Sequence, residues 1–404
     1  VCNLKDGDAR AAFKVMDQDL RRYKRLKMFV HAEESNPTIP LNDGDLSVFI
    51  RMGTDFNDNY YEYEVPLKVT PPGRYDTENT SNESDREIVW PNENEIDLKF
   101  SLLTEMKMLR NSLLGDPNSG VLIIRPYEQE DGNNKMRIKG NPNLANVKVF
   151  MIGIRNSKQS NSTAVDDDGL AKCAEIWVNE LRMTEFDNEG GWATRGRLTA
   201  QLADLGTMTL AGAYSTPGFG SVDQKLNERQ LETIKSYDVS TSVEMGKFIP
   251  EKIGISLPVY YSNSKEIVTP KYNPLDPDIE LKDQLSSDLF SQQERDSLAE
   301  RTQTVTSRKS INFTNVRKLP AKGKEKNRFY DISNISLNYG YSEYQFRDID
   351  TEFDTRKTYK GGIAYSFTNN PKNYKPFENL KMADGKQAKL LKDFNFYLAP
   401  KQLS

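Results

Sequence analysis

The chain has 404 residues, a formal net charge of −4 and 28% charged residues, so neither a basic nucleic-acid binder nor a single-core small domain is expected. Its mean hydropathy of −0.71 and the lack of any run of roughly 18 apolar residues exclude a helical membrane protein. They do not exclude a membrane β-barrel, whose strands present alternate residues to lipid and to a polar lumen. Two cysteines, Cys2 and Cys173, rule out a disulfide-rich scaffold and any multi-cysteine metal site, and their pairing is left open. The sequence has neither an initiating methionine nor a signal peptide, and reads as an internal or processed segment.

In chain order, residues 1–25 read as a helical lead-in, because Phe13, Met16, Leu20 and Tyr23 recur at helical spacing from Ala9 to Arg25. The basic run Arg21, Arg22, Lys24, Arg25 reads as a solvated face, with a phosphate or lipid contact as the sharper alternative. Residues 26–185 carry recurrent strand signals. Leu26, Met28, Val30 and Ala32 alternate with basic and aromatic neighbours, as do Leu46, Val48, Ile50 and Met52 with Ser47, Phe49 and Arg51. NYYEYEVPL, the Ile96–Leu102 alternation and the nearly continuous apolar run Val147–Ile154 follow. Turn-rich connections separate them, which predicts an antiparallel, jelly-roll-like β-sandwich with one short helix at LLTEMKMLRNSL. Tyr60, Tyr61 and Tyr63 read as a half-buried strand, or alternatively as a sugar-stacking platform. Asp166-Asp167-Asp168-Gly169 lacks the alternating oxygen ligands of a calcium loop and reads as a solvated turn. His31 is the only histidine and lies in a strand-like run, so it is read as a strand residue and not as a base.

From residue 186 to 404 the pattern changes. Glu189, Gly190, Gly191 and Trp192 read as a hinge, and Arg195–Leu202 with Thr207–Tyr214 as a hairpin about the turn 203–206. Later strands are long and two-faced, and short turns alternate with long connections, including a loop at 264–309. Leu281, Leu285, Leu289 and Phe290 in that loop have helical spacing. Ile311 and Phe313 mark a shorter strand, and Phe394, Phe396 and Leu398 begin a last one. Pro258 predicts an edge, a bulge or a partner contact. The residues expected to face membrane lipid are Leu198, Leu202, Leu210, Ile255, Leu257, Val259, Ile335, Leu337, Tyr339, Ile363 and Tyr365. No catalytic, cofactor or metal motif is present: there is no G-x-G-x-x-G, P-loop, H-E-x-x-H or C-x-x-C. The chain is read as mainly β, not an enzyme, without cofactors.

The run EIWVNELRMTEFDNEGGWATRGRLTAQLADLG, preceded by KVFMIGIRN and followed by GKFIPEKIGISLPVYYS, resembles the SprA/Sov family of Bacteroidota. DLSVFIRMGTDFNDNYYEYEVPL fits that family's sandwich segment. The resemblance implies part of a large outer-membrane barrel, the translocon of the type 9 secretion system, which also supports gliding motility. It further implies passage of folded cargo proteins, a PorV-like barrel protein at a lateral gate, a periplasmic plug protein, and contact with outer-membrane lipid but no nucleic acid. In that topology the sandwich is an extracellular cap and the short turns are periplasmic. Two other classes remain open from the residues: a surface-anchored carbohydrate-binding sandwich, and a jelly-roll glycoside hydrolase with two facing carboxylates.

Overall fold

The computed structural model describes all residues except 78–82, 115, 160–167, 226–227, 321–327, 370 and 378–392. It is mainly β, with antiparallel sheets, and divides into two compact units. The first contains residues 1–190, 222–231 and 270–302; the second contains 191–221, 232–269 and 303–404. Two long connections that follow residue 191, 222–231 and 270–302, belong to the first unit. Among the described residues no helix is long and apolar enough to cross a membrane.

The first unit begins with strand β1 (Ala9–Gln18), β2 (Tyr23–Glu34), β3 (Leu46–Gly53), β4 (Tyr60–Pro66) and helix α1 (Glu83–Val89). It continues with β5 (Ile96–Lys99), helix α2 (Phe100–Leu114), β6 (Tyr127–Asp131), β7 (Asn134–Lys139), β8 (Val147–Asn156) and β9 (Ala174–Phe186). A six-stranded sheet, β1-β8-β3-β4-β7-β6, and a three-stranded sheet, β5-β2-β9, share one hydrophobic core. Leu26, Met28 and Val30 of β2 and Ile96 and Leu98 of β5 meet Val48, Ile50, Tyr61, Tyr63 and Ile138 of the larger sheet. The register explains the packing: Ile50 lies opposite both Tyr63 and Ile152, and Met52 opposite Tyr61 and Phe150, so alternate residues of three strands point one way. Helix α2 adds Phe100, Leu103 and Met106 to the same core.

The helical lead-in is corrected: Ala9–Gln18 is a strand paired with β8, from Ala9 opposite Arg155 to Val15 opposite Val149. Local helical spacing gave way to the ladder that the β-rich run Val147–Asn156 offers, a long-range pairing that overrides propensity. The sandwich thus starts at residue 9. Cys2 and Cys173 form a disulfide, which ties the chain's first residues to the start of β9.

The second unit contributes β10 (Ala193–Leu202), β11 (Gly206–Ser215), β12 (Glu232–Glu244), β13 (Ile255–Ser256) and β14 (Pro258–Pro270). The chain then gives the first unit a small hairpin, β15 (Tyr272–Asn273) and β16 (Asp276–Glu280), and helices α3 (Leu281–Ser286) and α4 (Gln292–Thr302). It returns as β17 (Thr304–Lys318), β18 (Ile335–Arg347) and β19 (Asp354–Tyr365). These strands make one eight-stranded antiparallel sheet, β10-β11-β12-β14-β17-β18-β19, with β13 beside β17. The sheet is open: β10 and β19 are its outer strands.

Pro258 is the first residue of β14, where a missing N–H is tolerated, and a break separates it from β13. The long loop expected at 264–309 is shorter, because β14 runs to Pro270 and β17 begins at Thr304. In that connection Leu285 falls in α3, whereas Leu289 and Phe290 fall between the two helices. The last strand expected from Phe394 is not part of the sheet. Only Phe396–Tyr397 pairs, with Asn373–Tyr374, as a separate two-residue ladder.

Candidate functional site

The long sheet of the second unit is the candidate site, and its strand register shows how its faces are composed. Leu198 lies opposite Leu210, which lies opposite Val239; Ala200, Met208 and Thr241 form the next row, and Leu202, Gly206 and Val243 the last. Residues directly opposite in an antiparallel ladder share a face. The intervening rows are polar: Arg197, Ala211 and Asp238; Thr199, Thr209 and Ser240; Gln201, Thr207 and Ser242.

The same division holds in the other strands. Val259, Phe313 and Tyr339 form one row, and Tyr261, Ile311, Tyr341 and Tyr359 the next. Leu337 lies opposite Ile363, and Ile335 opposite Tyr365. The alternate rows carry Ser262, Ser310, Ser342 and Thr358, and Ser264, Arg308, Tyr344 and Arg356. Polar residues of both strand groups line a shared cleft of about 170 Å³, bounded by Arg195, Ser236, Asp238, Ser264, Glu266, Thr306 and Arg308. The polar rows of the two groups therefore lie on one side.

Among the described residues nothing closes over the apolar side. Leu198, Leu337 and Ile363 are 63%, 49% and 78% exposed. Exposed apolar area of this extent marks a surface that contacts protein or membrane. Rows from Ile335 to Tyr341 span about 20 Å along the strand at roughly 3.4 Å per residue, close to the ~25 Å apolar band of an outer-membrane barrel. Trp192 stacks on Tyr214 at 5.0 Å, with Lys235 over the same ring, where β10 and β11 meet the long connection.

Nine of the eleven residues expected to face lipid lie in these apolar rows or end one of them. The other two differ. Ile255 lies in β13 opposite Lys318. Leu257 sits between β13 and β14, and its N–H is held by the Glu244 carboxylate at 2.5 Å. The alternation missed Val316. A bulge between Phe313 and Val316, with Asn315 at φ 56°, inserts one residue and returns Val316 to the apolar side opposite Leu337. The expected short strand at Ile311 and Phe313 is instead one of fifteen residues, Thr304–Lys318, which continues past this bulge. The three-residue interval between Phe313 and Val316, occupied by Thr-Asn, was the available signal.

The first unit places its charges in closed networks. On the outer face of the six-stranded sheet Glu62 binds Arg51, Arg137 and Arg155 at 2.6, 2.8 and 2.9 Å, and Glu64 binds Arg137, Arg155 and Ser47. Burial would raise both carboxyls, yet the arginines hold each below the ordinary carboxylate range. Gly153 lets the Phe49 ring cross this face, since a Cβ there would stand 2.3 Å from the ring; Arg155 stacks on that ring. A second network joins Lys107 of α2 to Asp276 and Asp278 of β16 at 2.5 and 2.9 Å, with Tyr61 donating to Asp278 at 2.6 Å. Lys107, Tyr61 and the Asp278 side chain are fully buried. Burial, together with neighbouring Asp278, raises the Asp276 carboxyl to about 6 despite Lys107.

Tyr60, Tyr61 and Tyr63 are buried, so they offer no stacking platform for a sugar. The basic run lies in and just before β2, not on a helix. There Arg21 binds Asp19, Arg25 binds Asp97 and Glu185, and Lys24 approaches Glu189. His31 is a buried β2 residue whose Nδ1 donates to the Val89 carbonyl at 2.8 Å. Asp166 and Asp167 lie outside the described residues, and Asp168 pairs with Lys172. Among the described residues no group of three or more His, Cys, Asp or Glu side chains is placed to hold a metal ion.

No curated protein matches the chain. A family model for the SprA N-terminal region, described as motility related/secretion protein, matches residues 1–285, from the sandwich through the first strands of the sheet and on to α3. With well over half of its length inside that match, the chain belongs to the SprA family of motility related/secretion proteins.

Proposed function

We propose that the second unit is a sector of the wall of an outer-membrane protein-conducting channel, the translocon that exports folded cargo in the type 9 secretion system and supports gliding motility. The observation that carries this reading is the long antiparallel sheet with one uncovered apolar face and one polar face, in a chain of a motility and secretion family. Strands of 12–15 residues exceed the 9–11 that a tilted strand needs to cross a bilayer. In a barrel every backbone group is paired within the wall, so the polar side lines an aqueous lumen and the apolar side meets lipid.

On this reading the mechanism is conduction and gating, with no covalent step and no catalytic residue. The open outer strands β10 and β19 pair with further strands of the same barrel, since a small sector cannot enclose a wide pore and bare edges aggregate. The sandwich and the 270–302 connection form an extracellular cap, and the short turns at 203–206 and 245–254 face the periplasm. The partners are a PorV-like barrel at a lateral gate, a periplasmic plug and the secreted cargo.

A mild-detergent pull-down of the tagged full-length protein from outer membranes tests this, with recovery of a PorV-like barrel and a plug protein expected. Recovery with glycan-utilisation lipoproteins instead would move the function to surface binding. An impermeant maleimide on intact cells should label Lys282→Cys and spare Lys252→Cys; the reverse pattern would overturn the topology.

A further inference from the structure

The apolar rows of β14–β19 end at a sharp boundary. Immediately beyond the row Tyr261, Ile311, Tyr341 and Tyr359, the same face carries Asn263, Lys309, Glu343 and Lys357. Lys265 stands in the next row, opposite Ser307. Three lysines thus share this strip with one carboxylate. That carboxylate is already engaged by neutral donors: Tyr341 Oη donates to Glu343 at 2.7 Å and Gln345 Nε2 at 2.9 Å. Lys357 Nζ stands 3.9 Å from it. The opposite face at this height is balanced, with Arg308 and Arg356 against Glu266 and Asp354, and Arg356 pairs with Asp354 at 2.7 Å.

We infer that this strip, centred on Lys309 and Lys357, binds the phosphorylated, anionic headgroup of a lipid whose acyl chains lie along the adjacent aromatic and aliphatic rows. The inference rests on the reading of the sheet as a membrane wall. Its argument is the order of chemistry along one face. Aliphatic rows match acyl chains, a tyrosine row matches the interface where amphipathic rings settle, and a net-positive row follows at headgroup height. Each ammonium near an anionic lipid surface strengthens attraction by about fivefold, and lysine serves as a compact point charge for phosphate. An uncharged zwitterionic surface would leave this excess of positive charge uncompensated.

The test is fluorescence quenching of the full-length protein in mixed vesicles of phosphatidylcholine and phosphatidylglycerol, one or the other brominated on its acyl chains. Ile363→Trp places an indole in the aliphatic rows and Tyr359→Trp places one beside the strip; each is read as the difference from the unsubstituted protein. Brominated phosphatidylcholine should quench I363W. Brominated phosphatidylglycerol should quench Y359W at several-fold lower mole fraction than phosphatidylcholine does, and added salt should erode that preference. Adding K309Q and K357Q to Y359W should bring the preference close to one, whereas R308Q with R356Q on the other face should leave it intact. If I363W is quenched but Y359W shows no preference, or keeps its preference without the two lysines, the lipid site is overturned and the wall stands. If I363W is not quenched, the wall reading fails and the lipid site with it. Should the double lysine variant not assemble, the salt dependence of Y359W alone decides: a preference unchanged by salt overturns the site.

Discussion

The sandwich and the long sheet are written in the same period-two alphabet, yet they use it in opposite ways. In the sandwich, β3 is buried on both faces: Val48, Ile50 and Met52 enter the core, while Phe49 and Ser47 are covered on the outside by an arginine–glutamate ladder. In the sheet, β19 is exposed along nearly its whole length. The difference teaches that alternation specifies two environments without naming them. In the first unit the apolar environment is supplied by the chain itself, and in the second the described residues leave the apolar rows exposed.

The comparison is broken most forcefully at Lys107. Lys107→Met should destabilise the sandwich by about 3–5 kcal/mol, because it strands the buried Asp276 and Asp278 carboxylates without their cation; urea denaturation gives the measure. Ile50→Ala should cost about 2–5 kcal/mol in the same assay, whereas Leu337→Ala, at a half-exposed site, should fall well below that in detergent. Equal costs would erase the distinction between the two regions. Replacing both Cys2 and Cys173 by serine should remove about 2–5 kcal/mol from the first unit, since the bridge closes a separation of 171 residues. Leu337→Arg should impair membrane assembly by about 2–4 kcal/mol if that row lies at mid-depth, measured as folded yield in vesicles, while Ser342→Arg on the polar side should assemble normally.

The smallest effect is in pH. The Asp276 carboxyl, raised from 3.8 to about 6, binds its proton more tightly when folded; its contribution is full below the unfolded value and is lost as pH rises through 6. Glu62 and Glu64 are lowered, so their contribution is present above the ordinary glutamate range and is lost as pH falls below it. The first unit should therefore be most stable near pH 4.5, losing the Glu62 and Glu64 contributions below it and the Asp276 contribution above it. Asp276→Asn should flatten the alkaline side of that profile by on the order of 1–3 kcal/mol, read from urea midpoints across pH.

Much of this was legible in the residues. Alternation located the strands of both units, turn residues set the 203–206 hairpin, and nine of eleven apolar positions fell in or at the end of the expected rows. What was hidden depended on partners distant in sequence. Ala9–Gln18 carries a helical spacing that loses to a ladder with β8, and the role of Lys107 is invisible until Asp276 arrives 169 residues later. The bulge at Asn315 broke the alternation locally, so Val316 was missed although the chain keeps it in phase.

By itself, then, the sequence determined which residues share a strand face, because side-chain direction alternates with each residue regardless of context. Only the tertiary structure decided which faces are covered, which carboxylates are neutralised, and that residues 270–302 belong to the sandwich unit. Burial and charge pairing are set by what packs against a face, and those neighbours lie tens to hundreds of residues away along the chain.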